Sequence, residues 1–134
     1  MISVTCAIIR HKDGFLVAQR GGNTHLAGHW EFPGGKVIEG ESEETCVIRE
    51  IREELGIEVR PVRRLTENTH DYGEKQIRLI PFICDLVSGE PVAREHASVG
   101  WYRPEDLRTL DWCAADIPIV DELLATTTSK RSRP

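Results

Sequence analysis

Hydrophobic and polar positions follow two different periods along this chain. Residues 2–10 are apolar and β-branched, residues 11–14 are polar and end in Gly14, and residues 15–20 are apolar again. That pattern predicts two strands joined by a short hairpin. Residues 21–29 hold Gly21, Gly22, Asn23 and Gly28 and read as a loop, after which residues 30–33 run into the turn signal Gly34-Gly35. Over residues 42–55 the period lengthens, with Val47, Ile48, Ile51 and Leu55 recurring at about 100° per residue and charged residues opposite. A helix is predicted there. Its first turn is acidic (Glu43, Glu44), Ser42 and Thr45 offer a cap, and Gly56 stands where a helix ends in a left-handed glycine.

Downstream, residues 57–69 and 75–87 read as strands around a turn at residues 71–73, and residues 99–102 as another short strand. Pro104 opens a helical turn over residues 104–110, and residues 114–125 form a second helix. Residues 126–134 contain no large apolar side chain and three basic ones, which predicts a flexible tail behind a single domain of residues 1–125. The order β-β-α-β-β-β-α implies an α+β domain, a mixed sheet with helices packed on it.

Composition narrows the classes. The 134 residues, 40% hydrophobic and 29% charged, suit one globular core. The apolar run 2–9 is too short to span a bilayer and no small-residue cleavage site follows it, so no membrane partner is expected. The four cysteines form no CxxC pair and read as buried free thiols in a cytoplasmic protein. A net charge of -5 argues against a nucleic acid partner, because tracking phosphates needs a basic surface. It leaves room for a small phosphorylated ligand carried with a metal, bound by a monomer or a homodimer.

The chemistry concentrates in one stretch. On a helix Glu50, Glu53 and Glu54 stand at i, i+3 and i+4, so their carboxylates leave one face together. Three like charges on one stripe repel, and a hard divalent cation such as Mg²⁺, which takes several oxygen ligands, relieves that repulsion. The Gly34-Gly35 turn lets backbone approach closely, and Arg49 sits four residues before Glu53, placed to hold a carboxylate in register. The plainer reading is a solvated helix face laced with Glu–Arg pairs.

Spacing decides between the two. Gly35, Glu41, Arg49, Glu50, Ile51, Glu53, Glu54, Gly56 and Ile57 match every fixed position of the signature GX5EX7REUXEEXGU, where U is aliphatic. The chain therefore resembles the Nudix hydrolases. The resemblance implies a mixed β-sheet sandwiched between α-helices and Mg²⁺-dependent cleavage of nucleoside diphosphates linked to another moiety, with Mn²⁺ as the alternative ion. Glu50, Glu53 and Glu54 would be metal ligands, Gly34 would offer its carbonyl, Arg49 would orient the cluster and Glu41 would support it.

Beyond this box, residues 16–20, 28–36 and 114–118 are similar to the MutT-type branch, which converts nucleoside triphosphates to monophosphate and pyrophosphate. That branch includes enzymes that clear oxidised guanine nucleotides such as 8-oxo-dGTP from the pool, protecting DNA, and a CTP pyrophosphohydrolase. By that resemblance Arg20 meets substrate phosphate and Glu95 adds a metal ligand or base. Lys36, beside the glycine turn, is a candidate phosphate contact. Asp116 falls where the branch reads the base, although an Asp opening a helix is commonly a cap. A carboxylate only accepts hydrogen bonds, which suits an exocyclic amine and leans towards a cytidine nucleotide without excluding oxidised guanine. Phe32 and Trp30 are candidate walls for the base, and Glu53, Glu54 and Glu95 all remain candidates for the general base. The rivals are a Nudix pyrophosphatase for ADP-ribose or dinucleotide polyphosphates, for which Tyr72 lies near but off the expected position, and a nucleotide sensor without catalysis, which usually loses box glutamates.

Overall fold

A computed structural model describes the backbone of residues 1–131 and the side chains of residues 1–125. The expected hairpin is β1 (Ile2–His11) and β2 (Gly14–Gln19), paired antiparallel across Arg10–Phe15 and His11–Gly14. β1 is central because it is buried on both faces. Cys6 and Ile8 point into one apolar cluster and Ala7 and Ile9 into another, as a period of two requires. Its other neighbour is β7 (Gln76–Ser88), which runs parallel to it from Ile2–Ile77 to Arg10–Asp85.

The two glycines expected to form a turn instead begin a short strand, and the chain turns just before them, at Phe32 and Pro33, after another short strand. β3 (Trp30–Glu31) pairs with β2, and β4 (Gly34–Lys36) pairs with β1. The single strand expected over residues 57–69 divides into β5 (Glu58–Arg64) and β6 (Asn68–Asp71). Both halves lie on the same edge of β7, β5 along Phe82–Ser88 and β6 along Gln76–Leu79. The break falls at residues 65–67, where Leu65 turns into the core, while Pro61 marks a register shift within β5. β8 (Ser98–Tyr102) completes the sheet against β2.

Helix α1 (Glu43–Leu55) covers one face of this mixed sheet, placing Val47, Ile51 and Leu55 on Ala7, Ile9 and Ile80. Helix α2 (Ile117–Arg131) covers the other, with Ile119, Val120 and Leu123 against Ile8, Val17 and Leu79. Short 3-10 turns at Pro104–Thr109 and Ala114–Asp116 lead into it. Its backbone continues beyond the expected end at residue 125 to Arg131, so the expected tail begins inside the helix, and its last residues, 132–134, lie outside the described ones. All four cysteines are free and buried, and among the described residues no helix is long and apolar enough to cross a membrane.

The turn between β3 and β4 fixes how closely the two halves of the site approach. A Cβ on Gly34 would lie 2.0 Å from the carbonyl oxygen of Thr5, in the backbone of β1. Gly34→Ala therefore lowers the unfolding free energy by about 1–3 kcal/mol in urea titrations, since backbone cannot move aside as a side chain can. Gly22→Ala, which meets nothing within 4 Å, shifts it by less than about 0.5 kcal/mol.

Candidate functional site

Local chemistry sets α1 firmly. The Ser42 hydroxyl accepts from the Thr45 N–H at 3.1 Å, and Gly56 ends the helix at φ 70°, donating its N–H to Arg52. With the apolar face against the sheet, Glu50, Glu53 and Glu54 fall along its flank. Arg49 ties this flank together. Its guanidinium donates to Glu41 at 2.7 and 3.0 Å, to Glu50 at 2.8 Å and to the Lys36 carbonyl at 3.2 Å, and reaches Glu53 at 3.3 Å. Those hydrogen bonds, with the Ile38 N–H, hold Glu41 down at about 2. Gly35 is required here too, because a Cβ would stand 2.2 Å from the Glu50 carboxyl carbon.

The three helix glutamates are not equivalent. Glu53 is the outer one, its side chain 59% exposed, whereas the Glu54 side chain is 7% exposed. Glu54 Oε2 is buried with no hydrogen-bond partner. Burial first, then the neighbouring carboxyls of Glu50, Glu31 and Glu95, pushes Glu54 up to about 9. Glu95 itself is exposed, on the loop before β8. Among the described residues no three His, Cys, Asp or Glu side chains already converge on one metal position. The donor set nevertheless suits a hard divalent cation. It offers an orphaned buried carboxyl oxygen and several carboxyls crowded around it, an arrangement whose repulsion a divalent charge offsets.

Next to this flank opens a cavity whose lining includes Arg20, Phe32, Gly34, Lys36 and Asp116. Arg20 is held by Glu31, Nη1 to Oε1 at 2.9 Å, and by the His25 carbonyl at 2.5 Å, while Lys36 is exposed at the rim. Phe32 is buried against Trp112 with ring centroids 4.8 Å apart and still lines the cavity. Trp30 does not line it and instead packs edge-on against Tyr102, so its expected place as a base wall is corrected. Glu31 lines the cavity beside Phe32, whereas Trp30 does not.

Asp116 is not a cap for α2. Its Oδ2 accepts the backbone N–H of Phe32 at 2.9 Å, from the opposite side of the cavity floor. It is 5% exposed, and burial first, then Glu31, raises its carboxyl well above the ordinary range. Burial thus favours the neutral form of Asp116, and a neutral carboxyl donates as well as accepts, whereas the sequence alone suggested an acceptor only. Two side chains here, Glu31 and His96, have no role in the sequence reading, which weighs Tyr72 only as a marker for dinucleotide substrates. Tyr72 accepts the Ala115 N–H at 3.0 Å, and Glu31 accepts from Arg20 while standing 2.9 Å from His96. A signal for Glu31 was present, a lone acid in an apolar stretch just before the glycine turn. His96 carried none, since its partners are distant in sequence.

Comparison with known proteins places this geometry. A match to the NUDIX domain family extends over residues 1–123. The chain belongs to the Nudix family. It is 35% identical over 125 residues to the CTP pyrophosphohydrolase of Escherichia coli, covering 93% of each chain. It is 39% identical over 128 residues to a putative 8-oxo-dGTP diphosphatase 2 of Mycobacterium tuberculosis, covering 93% of this chain and 89% of that one. Among solved structures it resembles a MutT Nudix hydrolase from methicillin-resistant Staphylococcus aureus, with a TM-score of 0.76, 37% identity, and 93% and 96% of the two chains covered.

The Nudix helix also makes a prediction about stability. A carboxyl raised in the folded state keeps its proton longer than in the unfolded chain, so its contribution is complete below the unfolded value, about 4.3, and is lost as pH rises through about 9. Asp116 acts with the same sign. The cation-free protein should therefore lose thermal stability as pH rises from about 4.3 to about 9. Glu54→Gln should flatten this fall, and Mg²⁺ should counter it in the wild type only. Melting curves across pH with and without Mg²⁺ read both effects, and a pH-independent wild type contradicts the assignment.

Proposed function

We propose that this chain is a Mg²⁺-dependent nucleoside triphosphate pyrophosphohydrolase, with Mn²⁺ able to substitute, that releases nucleoside monophosphate and pyrophosphate. Its substrates are nucleotides of the oxidised-guanine type such as 8-oxo-dGTP, or of the (d)CTP type, and its role is cleaning the cytoplasmic nucleotide pool. The observation that carries the reading is the buried, partnerless oxygen of Glu54 among other carboxyls, set beside a cavity floored by Asp116 and Phe32. Full-length similarity to a CTP pyrophosphohydrolase and to a putative 8-oxo-dGTP diphosphatase supports the same substrate class.

In this reading Glu50, Glu53, Glu54 and Glu95, with the Gly34 carbonyl, hold the cation. When bound, the ion neutralises phosphate charge and makes a coordinated water more acidic. Arg49 keeps Glu41, Glu50 and Glu53 in register through its fork of donors. Arg20 and Lys36 meet the phosphates from the cavity side. Glu53, Glu54 and Glu95 are the groups able to take the proton from the attacking water, and Glu53 is the exposed helix carboxyl that Arg49 reaches at 3.3 Å. Phe32 offers a ring face to the base. Asp116, carrying its proton, offers one donor and one acceptor to the base edge. Cytosine answers with a ring nitrogen beside an amine, and oxidised guanine with a carbonyl beside an N–H.

The test is a substrate panel of normal, oxidised and methylated nucleoside triphosphates with ADP-ribose, assayed with Mg²⁺ and followed by ³¹P NMR. Monophosphate and pyrophosphate are the expected products; orthophosphate alone would place cleavage elsewhere. Glu53→Gln should lower turnover about 10²–10⁴-fold while the melting curve stays intact.

Base reading has its own test. Asp116→Asn reproduces the donor and acceptor pattern of a protonated carboxyl and should retain the wild-type preference among bases, whereas Asp116→Ala should lose it. Wild-type activity should fall at alkaline pH as Asp116 ionises, and the Asn variant should not follow. A switch of preference in the Asn variant would show that the anion does the reading.

A further inference from the structure

Four side chains from four separate segments form a chain across the site. Arg20 directly follows β2, Glu31 lies in β3, His96 precedes β8 and Glu54 belongs to α1. Arg20 Nη1 reaches Glu31 Oε1 at 2.9 Å, His96 Nε2 reaches Glu31 Oε2 at 2.9 Å, and the same nitrogen stands 3.8 Å from Glu54 Oε1. The His96 side chain is 6% exposed, and its Nδ1 has no partner. A carboxylate oxygen accepts, so the hydrogen sits on Nε2, facing the two acids.

The segment that delivers His96 is fastened at both ends. Val92 N–H donates to the Leu55 carbonyl at 3.0 Å, and the Arg94 guanidinium donates to the Glu53 carbonyl at 3.2 Å, at the C-terminal end of α1. Ala97 N–H donates to the Gln19 carbonyl of β2 at 2.9 Å. Arg94 also occupies the space a Cβ on Gly56 would enter, at 2.7 Å, so the box glycine leaves room for this clamp.

We propose that His96 is a positioning residue: its Nε2–H fixes Glu31 by a hydrogen bond and, 3.8 Å from Glu54, holds that carboxyl by charge and packing, which sets the phosphate-facing Arg20 and the cation-facing helix carboxylate in one register. This rests on the roles given above to Arg20 and Glu54. Long acidic side chains held in place before the ligand arrives lose less freedom when it binds, which is why groups behind metal ligands alter metal affinity without touching the ion.

The experiment compares His96→Gln, which keeps an N–H donor at about the reach of Nε2, with His96→Leu, which keeps bulk and removes the donor. Mn²⁺ binding without nucleotide is measured by EPR, kcat and KM with CTP and 8-oxo-dGTP, and folding by melting curves. His96→Leu should weaken Mn²⁺ binding about 10- to 100-fold and raise KM through the freed Arg20. His96→Gln should recover most of both. Should the Leu variant fail to fold, His96→Asn, whose amide falls short of Nε2, takes its place with the same expectation. Wild-type Mn²⁺ affinity in a folded Leu or Asn variant overturns the proposal, as does a Gln variant no better than Leu. A wild-type protein that neither binds Mn²⁺ nor cleaves nucleotides rejects the functional reading itself, which keeps the two failures apart.

Discussion

The site depends on one guanidinium. Arg49 meets Glu41, Glu50 and Glu53 and the Lys36 carbonyl at once, joining the leading loop, the glycine turn and the helix. Without a cation of the protein's own, three acids on one helical stripe would splay apart, and the loop carrying Glu41 would have no reason to fold back over residues 36–41. A planar fork with several fixed donors does this where a lysine, a single point charge, could not. The same fork leaves Glu54 out. What Arg49 neutralises is the scaffold of the site, and what it does not neutralise is the part left for a ligand.

That division has a thermodynamic side. Glu54 and Asp116 are both buried acids without a cationic partner in contact, and each works against the folded state once it ionises. A fold selected for stability alone would put an apolar or amide side chain at both places. Their opposite surroundings separate their duties. Glu54 is crowded by acids, a setting in which a divalent cation would favour its ionised form. Asp116 accepts the Phe32 N–H within the cavity, and its burial favours the neutral carboxyl.

Much of this was legible in the residues, and the exceptions have physical causes. The 3.6-residue period, the acidic first turn and Gly56 mark α1 to within a residue, because each is a local property of that segment. β3 and β4 were invisible, since strands of two and three residues hold no period and exist only because the turn docks on β1 and β2. The division of residues 57–69 is set by burial of Leu65 under α2, a tertiary effect. Within the site, spacing marks Glu50, Glu53, Glu54 and Arg49. It could not place His96 against Glu31, 65 residues apart, nor show that burial raises the Asp116 carboxyl, because both follow from what the fold brings near and what it shields from water.

Charge and alternation together set an acidic face and an apolar face side by side in a small domain. Residues 35–57 hold seven acids and three bases, so nearly all of the net charge of -5 sits on the α1 side. The β3 segment then divides its neighbours by the period of two. Glu31 turns to Arg20 and His96, and Phe32 turns to Trp112 beneath Asp116. Gly34 must follow at once, for only a residue without Cβ lets this segment lie on Thr5 and bring both directions within one cavity. The polar, acidic face and the apolar, base-sized face are therefore adjacent by backbone geometry. A ligand that fits both has to carry phosphate at one end and a flat, hydrogen-bonding ring at the other.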